Sequence, residues 1–343
     1  MTKKTMKAVG LYNYLPIEDP QSLIDIELDT PTPTGRDLLV KVNAVSVNPV
    51  DYKVRSPKDR EESVPKVLGW DVSGVVEQVG SDVTLFQPGD EVFYAGSIMR
   101  PGGNSEFHLV DERIVGSKPS RVGFAEAAAL PLTSITAWES LYDRLGISQT
   151  KEHNEGKNIL IIGAAGGVGS IATQLAKYSG LTVVGTASRP ESADWIKELG
   201  ADYVINHFEA LVPQLKAIGM EQVDYILCLN STGKHWANMA EAIAPQGKIC
   251  SVVETAEPLN LTLLMNKSAT FAWEFMFTRS TYQTPDMIEQ HALLNEIARL
   301  VDEGVIRTTT NETLSPINAA NLRKAHAMLE TGRTVGKIVL EKF

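Results

Sequence analysis

The stretch from Ile159 to Lys177 constrains the fold of this chain more than any other. Ile159-Leu160-Ile161-Ile162 is four apolar residues, three of them β-branched, the composition of a buried parallel strand. The glycine-rich turn Gly163-Ala164-Ala165-Gly166-Gly167-Val168-Gly169 follows, after which Ile171, Leu175 and Ala176 recur at helical spacing. Strand, glycine turn and helix form the context in which a glycine fingerprint signals dinucleotide binding. Aligned on Gly169, the fingerprint positions hold Ala164, Gly166 and Gly169, so alanine replaces the first glycine. Gly166 is then expected to let the backbone approach a pyrophosphate, and Gly169 to let helix and strand pack closely. Gly167 and Val168 open the helix, whose first amides offer donors to phosphate oxygens. The alternative is a plain tight turn in a parallel sheet. Residues 158–176 carry no charge, but four glycines, Asn158, Thr173 and Gln174 argue against a membrane span.

The next strand, Leu181 to Ala187, ends at Ser188-Arg189. A site for NAD places an acid about 20 residues beyond the glycines, on the ribose 2′-hydroxyl. A hydroxyl and a guanidinium suit a 2′-phosphate instead, so the pattern predicts NADPH, unless Arg189 is only a solvated surface residue.

Organisation along the chain supports two domains, as 343 residues require. Up to about Pro119 the sequence reads as short strands, Leu38–Val47, Gly74–Val79, Glu91–Tyr94 and Ser105–Val110, separated by Pro- and Gly-rich turns. That pattern predicts an antiparallel, barrel-like domain. An alanine-rich helix begins at Phe124, Pro131 interrupts it, and a second helix starts near Thr136. From Asn158 strands and helices alternate through Val253, the signature of a doubly wound parallel sheet. Helices near Pro285–Glu303 and Ile317–Glu330 precede a last strand, Lys337–Leu340, expected to complete the first domain's sheet. A net charge of −10 disfavours nucleic acid and anionic membranes as partners. No apolar leader follows the N-terminal lysines, and the only cysteines, Cys228 and Cys250, lie in apolar runs, so a cytoplasmic protein with buried thiols is expected.

Leu68-Gly69-Trp70-Asp71-Val72-Ser73-Gly74, Gln87-Pro88-Gly89-Asp90-Glu91-Val92, Leu130 to Trp138 and the glycine turn resemble the medium-chain dehydrogenase/reductase superfamily. Phe271 to Ser280 and Gly332 to Glu341 are similar to its quinone oxidoreductase branch, near the proteins called zinc-type alcohol dehydrogenase-like. The resemblance covers essentially the whole chain. It implies an α/β protein with a GroES-like β-barrel catalytic domain at 1–127 and 273–343, and a Rossmann domain at 128–272. In zinc members the metal is held by a cysteine near the Asn48 position, a Gly-His-Glu motif and a later cysteine or acid. Here that motif reads Gly69-Trp70-Asp71, and no cysteine precedes Cys228, so no metal site is expected.

By position, the resemblance places Thr133 near the nicotinamide ribose, and Gly166, Gly167 and Val168 at the pyrophosphate. Ser188, Arg189 and His207 fall at the 2′-phosphate, Asn230 at the adenosine ribose, and Lys337 among the cofactor-contacting cations. Asn48 matches an asparagine that donates to the substrate oxygen, with Tyr52 or Lys53 as proton donor. Asn48 and Asp51 have a plainer alternative as helix caps. Trp70, Tyr94, Phe271 and Trp273 are apolar walls for a planar substrate or ordinary core. Without a Lewis acid, the expected reaction is hydride transfer from NADPH to quinones or α,β-unsaturated carbonyls, whose product anions hydrogen bonds can stabilise. The alternatives are a non-catalytic NADPH-binding protein and a zinc-dependent alcohol dehydrogenase. Relatives suggest a homodimer or homotetramer.

Overall fold

The computed structural model describes residues 4–343, and the chain divides into two compact units. One comprises the chain up to Leu132 together with Phe277–Phe343, and the other is Thr133–Met276. The first boundary falls inside the helix Pro131–Trp138. The alanine-rich helix does end ahead of this proline, at Ala128, and Pro131 itself opens the second helix, which therefore starts earlier than Thr136, because the first helical position needs no N–H donor. The helix passes directly into a π-helical turn, Glu139–Arg144, that the sequence pattern did not reveal.

The first unit is built mainly of antiparallel strands. Its seven-stranded sheet runs in the order Thr310–Leu314, Lys337–Glu341, Asp37–Ser46, Val72–Val79, Glu91–Tyr94, Val115–Ser117, with Phe107–Asp111 also paired to Asp37–Ser46. The last strand of the chain does complete this sheet. It runs antiparallel to Asp37–Ser46, with Val339 opposite Ser46 and Leu340 opposite Val45. Leu38, Leu39, Val40, Ala44 and Val45 are all buried, which is why Asp37–Ser46 sits at the centre. A separate three-stranded sheet joins Ile24–Asp29, Thr5–Tyr14 and Lys58–Val67.

The second unit carries a six-stranded, wholly parallel sheet. In spatial order the strands are Tyr203–Ile205, Thr182–Thr186, Asn158–Ile162, Val223–Cys228, Ile243–Ser251 and Thr270–Trp273. Sequence order therefore reverses between Asn158–Ile162 and Val223–Cys228, the crevice where open sheets of this kind bind ligands. Ile159, Leu160, Ile161 and Ile162 are completely buried, as a strand covered on both faces requires. Among the described residues, no helix is long and apolar enough to cross a membrane.

Candidate functional site

In the second unit the glycine turn takes the geometry its sequence implies, with one addition. The strand Asn158–Ile162 ends at Gly163, which has φ +85°, a conformation that L side chains rarely adopt. Gly163 thus makes the sharp turn, which explains how Ala164 can occupy the first fingerprint position. Gly166 is the N-cap of the helix Gly167–Tyr178, in an extended conformation open to any residue. A Cβ built on Gly166 would meet only the Gly163 carbonyl oxygen, at 3.5 Å. Folding alone therefore does not demand glycine there, whereas a ligand approaching the backbone does. Gly169 differs, since a Cβ would lie 2.5 Å from the Ala164 Cα and from the Gly163 oxygen. Gly166, Gly167 and Val168 are all part-exposed at this helix start.

Arg189 is the N-cap of the helix Pro190–Glu198, and Ser188 beside it is exposed. The Arg189 guanidinium folds onto its own helix, 2.8 Å from Glu191 and 3.2 Å from the Ser192 hydroxyl. His207 and Asn230 are brought together with Lys234 and His235 around a cleft of about 480 Å³. Lys234 and His235, on the helix Thr232–Ala242, were not singled out in the sequence. Thr133 is buried in the helix Pro131–Trp138.

The first unit holds a buried polar cluster around Asn48. The Lys337 ammonium bonds to the Val47 carbonyl at 2.9 Å, to Asp71 Oδ2 at 3.0 Å and to Asn48 Oδ1. All three of its donors are then used, and the residue is 3% exposed. The expectation that Lys337 contacts the cofactor is corrected: its charge is spent inside the first unit. Asn48 Nδ2 donates to Asp71 Oδ2 at 2.8 Å, so both ends of this side chain are also engaged. Asp71 Oδ1 accepts the Leu132 N–H at 2.7 Å. Both Asp71 oxygens face only donors, which fixes the group as a carboxylate although burial raises its pKa against the pull of Lys337.

Asp51 supplies the cap. Its Oδ2 accepts the Asn48 N–H at 2.7 Å and its Oδ1 the Gly69 N–H at 3.0 Å. Burial pushes this carboxyl up to about 7 against those two bonds and the Lys337 charge. Asn48 is thus the N-cap position, but its side chain leaves the capping to Asp51. The helix so anchored, Pro49–Arg55, carries Tyr52, half-buried, and Lys53, exposed.

The aromatic candidates separate into two groups. Trp70 has no exposed surface, donates its indole N–H to the Ser97 carbonyl at 3.1 Å, and meets Phe277 edge-on at 6.2 Å. Tyr94 is likewise buried and bonds to His108 Nδ1 at 3.0 Å. His108 Nε2 must donate to the Pro101 carbonyl, so Nδ1 accepts from the tyrosine hydroxyl. Trp70 and Tyr94 are core, not substrate walls. Phe271 and Trp273 lie on the edge strand Thr270–Trp273 of the second unit, ring centroids 4.9 Å apart, with Trp273 exposed.

The chain matches the family "Alcohol dehydrogenase GroES-like domain" over residues 34–139 and the family "Zinc-binding dehydrogenase" over residues 199–340. It is 46% identical to a zinc-type alcohol dehydrogenase-like protein of Staphylococcus aureus over 335 residues, 98% of this chain and 99% of that one. A solved structure from Rhizobium etli, assigned provisionally to the zinc-dependent alcohol dehydrogenases, is 53% identical with TM-score 0.95, covering 99% of both chains. The Escherichia coli quinone oxidoreductase, solved with NADPH, is 25% identical with TM-score 0.79 over 98% of this chain and 99% of that one. The chain belongs to the medium-chain dehydrogenase/reductase superfamily, an oxidoreductase family that binds a nicotinamide cofactor. Within it, the similarity is to zinc-type alcohol dehydrogenase-like proteins, with quinone oxidoreductases among its relatives.

Those names invoke zinc, and the donor set here does not fit it. A zinc site needs three or four Cys, His or carboxylate ligands converging at bonding distance. The motif position holds Trp70, whose nitrogen is a donor already used, and Asp71, whose oxygens are taken by Asn48, Lys337 and Leu132. Among the described residues, no three His, Cys, Asp or Glu side chains are grouped to hold a metal ion.

Proposed function

We propose that this protein is an NADPH-dependent reductase of quinones or α,β-unsaturated carbonyls that works without a catalytic zinc. The observation that carries the reading is the buried Lys337–Asp71–Asn48 cluster, a fixed ammonium bound at the motif where zinc members place metal ligands. With no site for a Lewis acid, the acceptor must itself delocalise the charge that hydride addition creates. Quinones and enones do so, and simple ketones do not.

NADPH, when bound, supplies the hydride. The residues that fit it are Gly166, Gly167 and Val168 for the pyrophosphate, Ser188, Arg189 and His207 for the 2′-phosphate, Asn230 for the adenosine ribose, and Thr133 for the nicotinamide ribose. Room for a Cβ at Gly166 that the fold does not need supports this assignment. Tyr52 or Lys53 protonates the product oxyanion. Asn48 acts as a positioning residue: it joins Asp71 to Lys337 and fixes the start of the helix that carries both donors.

The test is NADPH oxidation against a quinone, an enone, a simple aldehyde and a secondary alcohol in one assay, with and without chelator. Turnover confined to the conjugated acceptors, unchanged by chelator and with no stoichiometric zinc in the purified protein, is the expected result. Chelator-sensitive alcohol oxidation with one zinc per chain would overturn it.

A further inference from the structure

The cleft at His207 and Asn230 holds a group that the proposed cofactor contacts do not use. His235 is only 7% exposed, lines this cleft, and its side chain has no hydrogen-bond partner among the described residues. The His207 ring lies at right angles to it with centroids 6.2 Å apart, and His207 Nδ1 is likewise buried without a partner. A buried His235 imidazole and a half-buried His207 whose Nδ1 is buried and unpartnered line one cleft, an arrangement that a polar occupant would satisfy.

The charges around the pair define what that occupant is. The loop after Tyr203–Ile205 contributes His207 and Glu209, and the helix Thr232–Ala242 contributes Lys234 and His235. The rest of the wall, Asn230 and Ser231 included, is uncharged. Lys234 and Glu209 offset each other, so the sign of the cleft is set by the protonation of the two imidazoles. Burial lowers the pKa of both, and the nearby His207 and Lys234 lower that of His235 further. The empty cleft is therefore neutral, and an arriving dianion reverses the balance by favouring imidazolium.

We propose that His235, together with His207, reads the ribose 2′-phosphate of the cofactor by taking up a proton as the phosphate binds. This deepens the NADPH reading and rests on it. It also gives discrimination a source besides Arg189, whose guanidinium is shared with Glu191. Adenosine 2′,5′-bisphosphate and 5′-AMP differ by the phosphate in question and are the probes.

Calorimetric titration of the full chain at about pH 7.5, in buffers of different ionisation enthalpy, counts the protons exchanged. Free phosphate has a second pKa of about 6, so only a few per cent of it carries a proton to release there. For the bisphosphate we expect net uptake of about half a proton or more, because an anion at contact raises an imidazole pKa. For 5′-AMP we expect little. His235→Gln keeps a polar side chain but cannot titrate. It should at least halve the uptake and weaken the bisphosphate severalfold while leaving 5′-AMP affinity, the check on folding, unchanged. His207→Gln should remove the remainder. Tighter binding of the bisphosphate with no uptake, or uptake intact in both variants, overturns the inference and leaves the NADPH reading standing. A bisphosphate that binds no better than 5′-AMP overturns that reading, and this inference with it.

Discussion

Adding a single methyl group at either of two glycines, three residues apart, separates binding from folding. At Gly166 the backbone is φ −73°, ψ 173°, and a Cβ would have 3.5 Å to its nearest neighbour. Gly166→Ala should therefore cost the free protein about 1 kcal/mol or less, the difference between glycine and alanine at an N-cap. On the proposed cofactor assignment, the same methyl stands where the pyrophosphate approaches the backbone. A hydrogen bond from an amide to a charged oxygen contributes about 1.5–3 kcal/mol. Two such bonds lost amount to about 3–6 kcal/mol, on the order of 10²–10⁴ in affinity. Gly169→Ala has the opposite profile, because its Cβ would sit 2.5 Å from the Ala164 Cα and the Gly163 oxygen, both backbone atoms. Helix and strand must then separate, at a cost of about 1–3 kcal/mol of stability. NADPH fluorescence titration with thermal unfolding on each variant measures both quantities. Should Gly166→Ala bind NADPH within about threefold of the parent, about 0.7 kcal/mol, the turn does not hold the pyrophosphate.

Three further outcomes are expected. Arg189→Ala should weaken NADPH about tenfold or more and leave NADH unchanged, the size of a charge-assisted bond, while Glu191→Gln, which releases the guanidinium, should tighten NADPH alone; equal effects on both cofactors in a binding titration would remove Arg189 from the 2′-phosphate site. Lys337→Met strands the Asp71 carboxylate in the interior and should cost about 3–5 kcal/mol in chemical denaturation, whereas Lys337→Met with Asp71→Leu should recover much of that loss. His326 is fully buried, both ring nitrogens lack partners, and burial with Arg55 nearby holds its pKa near 3 against 6.5 when unfolded. Below about pH 6.5 the unfolded chain gains a proton that the fold refuses, so this residue erodes stability as pH falls towards 3. Asp51, raised from 3.8 to about 7, acts with the opposite sign, eroding stability as pH rises between those values. The advantage of His326→Leu over the parent in denaturant melts should therefore widen steadily on acidification, and a constant difference would refute the assignment.

What the sequence disclosed was local. Residues 159–177 contain their own strand, turn and helix, so apolar pattern and glycine spacing sufficed to place them. The strand Lys58–Val67 did not show itself, because an exposed edge needs no apolar alternation and tolerates Pro65 and a run of charges. Asp51 as a cap was readable from its place three residues after Asn48. Lys337 was not, since nothing near it in sequence announces an acid 266 residues away. His235 was passed over for a related reason: a lone histidine on an amphipathic helix gains significance only when the loop after another strand sets His207 beside it.

That distance of 266 residues has a consequence in time. Ribosomes add roughly 5–20 residues per second, so Asp71 emerges roughly 13–53 seconds before the lysine that neutralises it. For that interval the first unit has neither its cation nor the strand Lys337–Glu341, while Thr133–Met276 is made in full before Lys337 is reached. Synthesis thus imposes an order on assembly: the inserted unit closes first, and the unit around it waits for the strand Lys337–Glu341.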